Sequence, residues 1–371
     1  GKVSRMIRDD LSLIPSYVPG KTEAGSLKLA SNEMTQGPLP SVERAIVAAA
    51  GGVNRYPDMA VVDLKAELAT HLGLEFAQVA VGCGSSALCQ QLIQATCADG
   101  DEVVFAWRSF EAYPILARVA GAVPVAVPLD ADHRHDLDAM AAAITDRTRL
   151  VFVCNPNNPS GTTVTADEFE AFLAKVPENV VVALDEAYIE FVDADHAAGT
   201  PNAVEAMKRH RNVVGLRTFS KVYGLAGLRV GYLFGDAELV EGVNKVCIPF
   251  SVNALAQVAA VESLRAEAEL SDRIAGVRDQ RVRATAAINA AAGAEVVVPD
   301  SQTNFIWLPE ERLPRLAGAG SLSDADAADS TSFATFLAGA GILVRCFAGE
   351  GVRITVTDAA ETDRLLAALG L

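Results

Sequence analysis

The sequence has no CxxC pair, although it carries six cysteines, and its five histidines stand at no metal-ligand spacing to them. That argues against a structural zinc site, so no metal is expected, and points to reduced thiols in a cytoplasmic protein. Positive charge is short as well: 31 Lys and Arg face 47 Asp and Glu, leaving a net charge of −16. A chain this acidic is repelled by nucleic-acid phosphates and anionic lipid, which sets aside nucleic-acid and membrane-surface partners. No apolar run approaches the roughly 18 residues of a membrane span. The opening segment, Gly1 to Asp10, is polar where a secretory leader would be basic and then apolar. Neither GxxxxGKS nor GxGxxG occurs, which disfavours nucleoside triphosphate and dinucleotide binding, and no repeat of fixed period is visible.

Half of the 371 residues are hydrophobic, which supplies a large core, and the length suits two unequal domains better than one. Short β-branched runs alternate with Ala/Leu-rich stretches between about residues 60 and 235, the pattern of a mainly parallel α/β sheet. Seven strands are expected: Val79 to Val81, Glu102 to Ala106, Val123 to Val127, Leu150 to Cys154, Val180 to Leu184, Val213 to Thr218 and Val230 to Phe234. Ala254 to Ala292 reads as nearly continuous helix, followed by short strands at Glu295 to Val298, Phe305 to Trp307, Ile342 to Arg345 and Val352 to Val356. The expected organisation is an N-terminal arm over residues 1–27, a large domain over 28–250 with helices on both faces of its sheet, and a smaller α+β domain over 251–371. The acidic, low-complexity stretch Ala317 to Ser330 is expected to be a poorly ordered surface loop.

Chemistry concentrates at the ends of these strands. Leu216 to Tyr232 reads LRTFSKVYGLAGLRVGY: a strand runs into Lys221, and Thr218, Ser220, Gly224, Gly227 and Arg229 around it suit a phosphate. That leaves the lysine amine for covalent work on a carbonyl such as the aldehyde of pyridoxal 5′-phosphate (PLP). The strand VVALDEAY ends in Asp185, Glu186 and Tyr188, and a carboxylate there faces the crevice where α/β sheets bind ligands. Asp185 can serve either as a helix cap or as the acidic partner that a pyridine nitrogen needs. LVFVCNPNNPSGT places Asn158 in a proline-fixed turn, from which its amide can reach the cofactor's phenolic oxygen together with Tyr188. VAVGCGSSAL reads as strand, Gly-rich turn and helix start, a weak phosphate signal when taken alone.

Taken in order, YVPGK (Tyr17 to Lys21), NRYP (Asn54 to Pro57), GCGSS, NPNNPSG, DEAY, FSKVYGLAGLR and GVRITV (Gly351 to Val356) resemble the fold-type I PLP-dependent aminotransferases. Within them they resemble the histidinol-phosphate and aromatic amino acid (phenylalanine) aminotransferase group. The resemblance implies that Lys221 bonds the cofactor aldehyde, Asp185 pairs with the ring nitrogen, and Asn158 and Tyr188 hold the phenolic oxygen. It further implies that Phe110 stacks on the ring and that Ser85, Ser86, Thr218, Ser220 and Arg229 form the phosphate cup. Tyr56 of NRYP matches a tyrosine that reaches the partner subunit's cofactor, so a homodimer with shared active sites is expected. Tyr17 and Asn32 match substrate-facing positions. Arg353 offers a fork for a carboxylate or phosphate, Arg345 is a second anion site, and for either a local salt bridge is the alternative.

The segment ASNEMTQGPLPS (Ala30 to Ser41) departs from the NxNENPxGPSP common in histidinol-phosphate aminotransferases and looks more like the aromatic branch. The expected activity is therefore transamination of phenylalanine and tyrosine with a 2-oxo acid such as 2-oxoglutarate, with histidinol phosphate as the alternative substrate. A decarboxylase or lyase on the same fold would share every cofactor residue. A PLP-binding regulator would need a basic DNA-binding domain, and none precedes Tyr17.

Overall fold

Along β5 (Thr148–Cys154) and β6 (Val181–Asp185) every residue but Arg149 is buried, and alternate residues enter different cores. Val151, Val153, Val182 and Leu184 join one hydrophobic cluster, while Leu150, Phe152, Val181 and Ala183 join another. This is the signature of strands covered on both faces, and each fully buried Val, Leu or Phe contributes about 1.5–3 kcal/mol. The computed structural model describes residues 6–19 and 23–371. Residues 1–5 of the expected arm, and Gly20 and Lys21 of YVPGK, lie outside the described residues.

In chain order the strands are β1 (Leu27–Leu29), β2 (Val79–Gly82), β3 (Glu102–Trp107), β4 (Val123–Pro128), β5, β6, β7 (Val213–Thr218), β8 (Gly231–Phe234), β9 (Phe305–Pro309), β10 (Ile342–Phe347) and β11 (Gly351–Thr355). Seven of them form a sheet of order β2-β8-β7-β6-β5-β3-β4. Only β8 runs against its neighbours, so six strands end along one edge. The other four form a sheet of order β1-β10-β11-β9, packed on the helices Ser271–Ala292, Ser330–Gly339 and Ala359–Leu369 around a separate core. The expected α/β architecture of a seven-stranded, mainly parallel sheet with a smaller α+β unit is the one observed.

Four expectations change. The boundary at residue 28 falls inside β1, which pairs in parallel with β10 from Leu27↔Ile342 to Leu29↔Val344, so this strand belongs to the smaller sheet. The continuous helix from 254 to 292 is interrupted: Ala254–Arg265 and Ser271–Ala292 are separated by a 3-10 turn, Glu267–Leu270, that carries Leu270 into the core. No strand forms at Glu295 to Val298, because Asn289 Oδ1 takes the N–H groups of Val296 (2.8 Å) and Val297 (3.0 Å), leaving only Val298 to bond Trp307. Finally, the acidic stretch after Ala317 is a packed loop. Leu322 and Ala327 are buried, and Ser321 N–H donates to Leu369 O at 3.0 Å, so its few apolar residues anchor what composition alone would leave loose.

Among the described residues no helix is long and apolar enough to cross a membrane.

Candidate active site

Every expected site residue except Tyr56 lines one cavity of about 760 Å³. It lies beyond the carboxyl ends of the parallel strands, against the small sheet, where α/β folds place ligands.

One end of the cavity is built for an anion. After β2, Gly84 (φ +85°) starts the helix Ser85–Thr96, no side chain caps that helix, and the N–H groups of its first turn lack intrahelical partners. A Cβ on Gly84 would sit 2.4 Å from Arg229 Nη2, and one on Gly231 would sit 2.7 Å from Ser85 N, so both glycines let the cup close. After β7, Ser220 N–H donates to Thr218 Oγ1 at 3.0 Å, and Arg229 Nη1 donates to Ser220 Oγ at 3.1 Å. Arg229 adopts a left-handed φ of 55°, a conformation that a bulky residue keeps only when its surroundings hold it. Serine hydroxyls, helix N–H groups and a guanidinium thus converge on one point, the donor set that a phosphate monoester needs. Lys221 stands beside it, with Nζ 3.5 Å from Ser31 O and 5.4 Å from the centre of the Tyr188 ring.

Asp185, at the carboxyl end of β6, is 3% exposed. Its Oδ2 accepts from Tyr113 Oη at 2.6 Å and its Oδ1 from Ala187 N–H at 3.3 Å. Burial raises its pKa, and the Tyr113 bond opposes that rise. Tyr113 is itself fully buried and stacked on Phe152, with centroids 4.3 Å apart and planes 10° apart. Nothing in the sequence singled out Tyr113, three residues after Phe110, whose ring meets it edge-on at 5.4 Å.

The three asparagines of the proline turn divide their work. Asn155 Oδ1 accepts from Val164 N–H, and Asn157 bonds Ser109, Ser160 and Arg108 O, so these two fix the loop. Asn158 faces the cavity; its Oδ1 accepts from Arg353 Nη1 at 2.7 Å, which leaves its NH₂ to donate. Tyr188 is arranged alike, because its oxygen accepts from Asn32 Nδ2 at 2.9 Å and its proton remains to be given. Asn32, expected to face substrate, is 1% exposed with both amide atoms engaged, since Thr355 Oγ1 donates to its Oδ1. Its place is to hold Tyr188.

Arg353 also bonds Ala30 O at 2.8 Å, and its Nε is buried without a partner. Burial lowers the pKa of its guanidinium to about 10. Arg345 pairs with Glu111 instead, Nη2 to Oε2 at 2.6 Å. Tyr17 lies 88% exposed at the cavity mouth. Tyr56 is 81% exposed and packs against Phe250 at 4.7 Å, away from this cavity. Among the described residues no His, Cys, Asp and Glu group could hold a metal ion.

The family model "Aminotransferase class I and II" matches residues 24–369. Aromatic amino acid aminotransferases of Corynebacterium glutamicum (strain ATCC 13032) and Rhodococcus jostii (strain RHA1) are 56% and 54% identical to the chain. The first alignment covers 98% of each protein, the second 97% of this chain and 94% of the relative. Among solved structures, the histidinol-phosphate aminotransferase from Sinorhizobium meliloti in complex with pyridoxal-5′-phosphate is 29% identical, with a TM-score of 0.83 over 99% of this chain and 97% of that one.

Proposed function

This chain belongs to the class I and II aminotransferases, and from that premise we propose that it binds PLP and transfers amino groups between aromatic L-amino acids and a 2-oxo acid such as 2-oxoglutarate. The observation that carries the substrate class is the 56% identity, over nearly the whole length of both chains, to a protein named for aromatic amino acids.

The cavity fits the cofactor on its own chemistry. Gly84 and Gly231 keep open a cup of N–H, hydroxyl and guanidinium donors for the phosphate. Asp185, a buried carboxylate with no cation bonded to it, suits a protonated ring nitrogen, and the spare donors of Asn158 and Tyr188 suit a phenolate. When bound, PLP supplies an electron sink for the bonds at the substrate's α-carbon. Lys221 would hold the cofactor's aldehyde carbon covalently with loss of water, and as a free amine it would take the proton from the substrate's Cα as general base and return one as general acid. Asp185 would keep a ring nitrogen protonated, and Phe110 would lie against the ring's face.

Arg353 holds the substrate's α-carboxylate, because among the described residues its guanidinium bonds only the neutral oxygens of Asn158 and Ala30. Two charge-assisted bonds at about 1.5 kcal/mol each make Arg353→Ala cost about a hundredfold in kcat/KM for phenylalanine. Phenethylamine, which has the ring and amine but no carboxylate, should lose almost nothing. Equal losses for both amines would make Arg353 a structural residue.

A homodimer is part of the reading. Tyr56, Ile248 (75% exposed) and Val47 (69%) leave an apolar surface around the NRYP segment that a second copy would cover. Tyr56 would then serve the partner's cup. Mixing Lys221→Ala and Tyr56→Ala chains should regenerate one intact site per heterodimer, and a proven heterodimer no more active than its parents would place Tyr56 outside the site. The six free cysteines suit a reducing cytoplasm.

The test of the activity is a coupled assay with 2-oxoglutarate that reports kcat/KM for phenylalanine, tyrosine and histidinol phosphate. A higher value for histidinol phosphate would overturn the aromatic assignment, and release of CO₂ would overturn transamination.

A further inference from the structure

Arg345 of β10 and Arg353 of β11 are register partners in an antiparallel ladder, so both side chains leave the same face of the small sheet toward the cavity. Phe347, two residues beyond Arg345, lies between them, its ring centre 4.8 Å from the Arg345 guanidinium and 5.6 Å from that of Arg353. The two cations are treated differently. Arg353 is 8% exposed and meets no carboxylate at bonding distance. Arg345, its side chain 40% exposed, is bonded to Glu111, which lies 234 positions away, directly after the ring-wall residue Phe110 and just before the helix Ala112–Val119. Both members of that pair line the cavity.

The site therefore offers one uncompensated fixed cation for substrate, Arg353, and one that the protein has already neutralised. An aromatic amino acid brings a single carboxylate and matches this count. Glutamate carries a second anion at the far end of its side chain, where the Glu111 carboxylate repels it, whereas histidinol phosphate carries its phosphate where an amino acid has its α-carboxylate and ends in an imidazole ring. On the aminotransferase reading given above, we propose that Glu111 sets side-chain specificity: by occupying Arg345 it admits uncharged rings, and a substrate with an anionic tail must displace the Glu111 carboxylate to reach that guanidinium. A half-exposed ion pair is held weakly enough to be exchanged, so the discrimination is graded. A 2-oxo acid with a second carboxylate can still be accepted.

The experiment uses the PLP-loaded enzyme and follows the single half-reaction with phenylalanine and with glutamate in wild type, Glu111→Gln and Glu111→Gln/Arg345→Gln. Glutamine keeps the size of the side chain and removes its charge. The ratio of kcat/KM for glutamate to that for phenylalanine should rise at least about tenfold in Glu111→Gln and fall back in the double variant. Equilibrium binding of two unreactive acids gives a second readout: glutarate should tighten relative to 3-phenylpropanoate in Glu111→Gln by a similar factor. If both substrates and both acids shift by one common factor, Glu111 is only a latch between the two sheets and the proposal fails. If wild type does not turn over phenylalanine, the aromatic reading fails instead, and the glutarate to 3-phenylpropanoate ratio still decides the role of Glu111.

Discussion

Lys221→Ala is expected to lower kcat for phenylalanine by at least about four orders of magnitude while the protein stays folded. A positioned general base alone contributes roughly a hundred- to ten-thousandfold. This lysine also makes the covalent link to the cofactor, so the two losses compound. Little of the fold rests on it: Nζ makes one long bond of 3.5 Å to Ser31 O and a cation–ring contact with Tyr188 at 5.4 Å. Neither contributes more than about 1 kcal/mol. Steady-state kinetics, a thermal melt and the visible spectrum of the PLP-incubated protein together check the prediction. A variant that melts like wild type and turns over like wild type would move the covalent role to another residue.

The second large effect concerns Asp185→Asn, which keeps the size of the side chain and an acceptor for Tyr113 but removes the charge. Without a carboxylate opposite the ring nitrogen, the electrostatic stabilisation of developing charge is lost, and kcat should fall about a hundred- to a thousandfold. Stability of the cofactor-free protein should move the other way. Burial raises the pKa of Asp185 above the usual 3.8, so its contribution to stability is fully present below that value and is lost as pH rises through the raised one. Subtracting the variant's melting profile from that of wild type isolates this group: the cofactor-free wild type should lose ground to Asp185→Asn as pH climbs above 4. A kcat that survives the substitution would leave Asp185 a structural residue that fixes Tyr113 and the Ala187 turn.

Lys221, Asp185 and Asn158 were legible because each lies at, or within four residues beyond, the carboxyl end of a β-branched run, where α/β sheets open their crevice. Phe110 was legible through its motif. What stayed hidden was the set of groups that hold them. Tyr113 reaches Asp185 across 72 positions, and Arg345 reaches Glu111 across 234; neither distance leaves a periodicity or a spacing in the sequence. Asn32 shows the same limit from the other side, since its place in the family pattern implied a substrate contact and only the fold shows its amide bonded to Tyr188 and Thr355. At the level of elements, the failures come from side chains that outbid the backbone. Asn289 takes two N–H groups that a strand at Glu295 to Val298 would have used, and Leu322 and Ala327 pin down a stretch whose composition reads as solvent-loving.

β1 carries one more implication, for the order in which the protein can be completed during synthesis. Leu27–Leu29 closes the edge of a sheet whose next strand, Ile342–Phe347, is translated about 315 residues later. At about 5–20 residues per second, the first strand leaves the ribosome roughly 15–60 s before its partner exists. For that time its only edge-pairing option is another nascent chain. Lys28, the exposed middle residue of this three-residue strand, is the type of side chain that keeps a waiting edge from aggregating. The larger sheet needs nothing beyond Phe234 and can form on the ribosome. The smaller one pairs strands about 315 positions apart, so any nonsense truncation before residue 342 leaves Leu27–Leu29 without its partner.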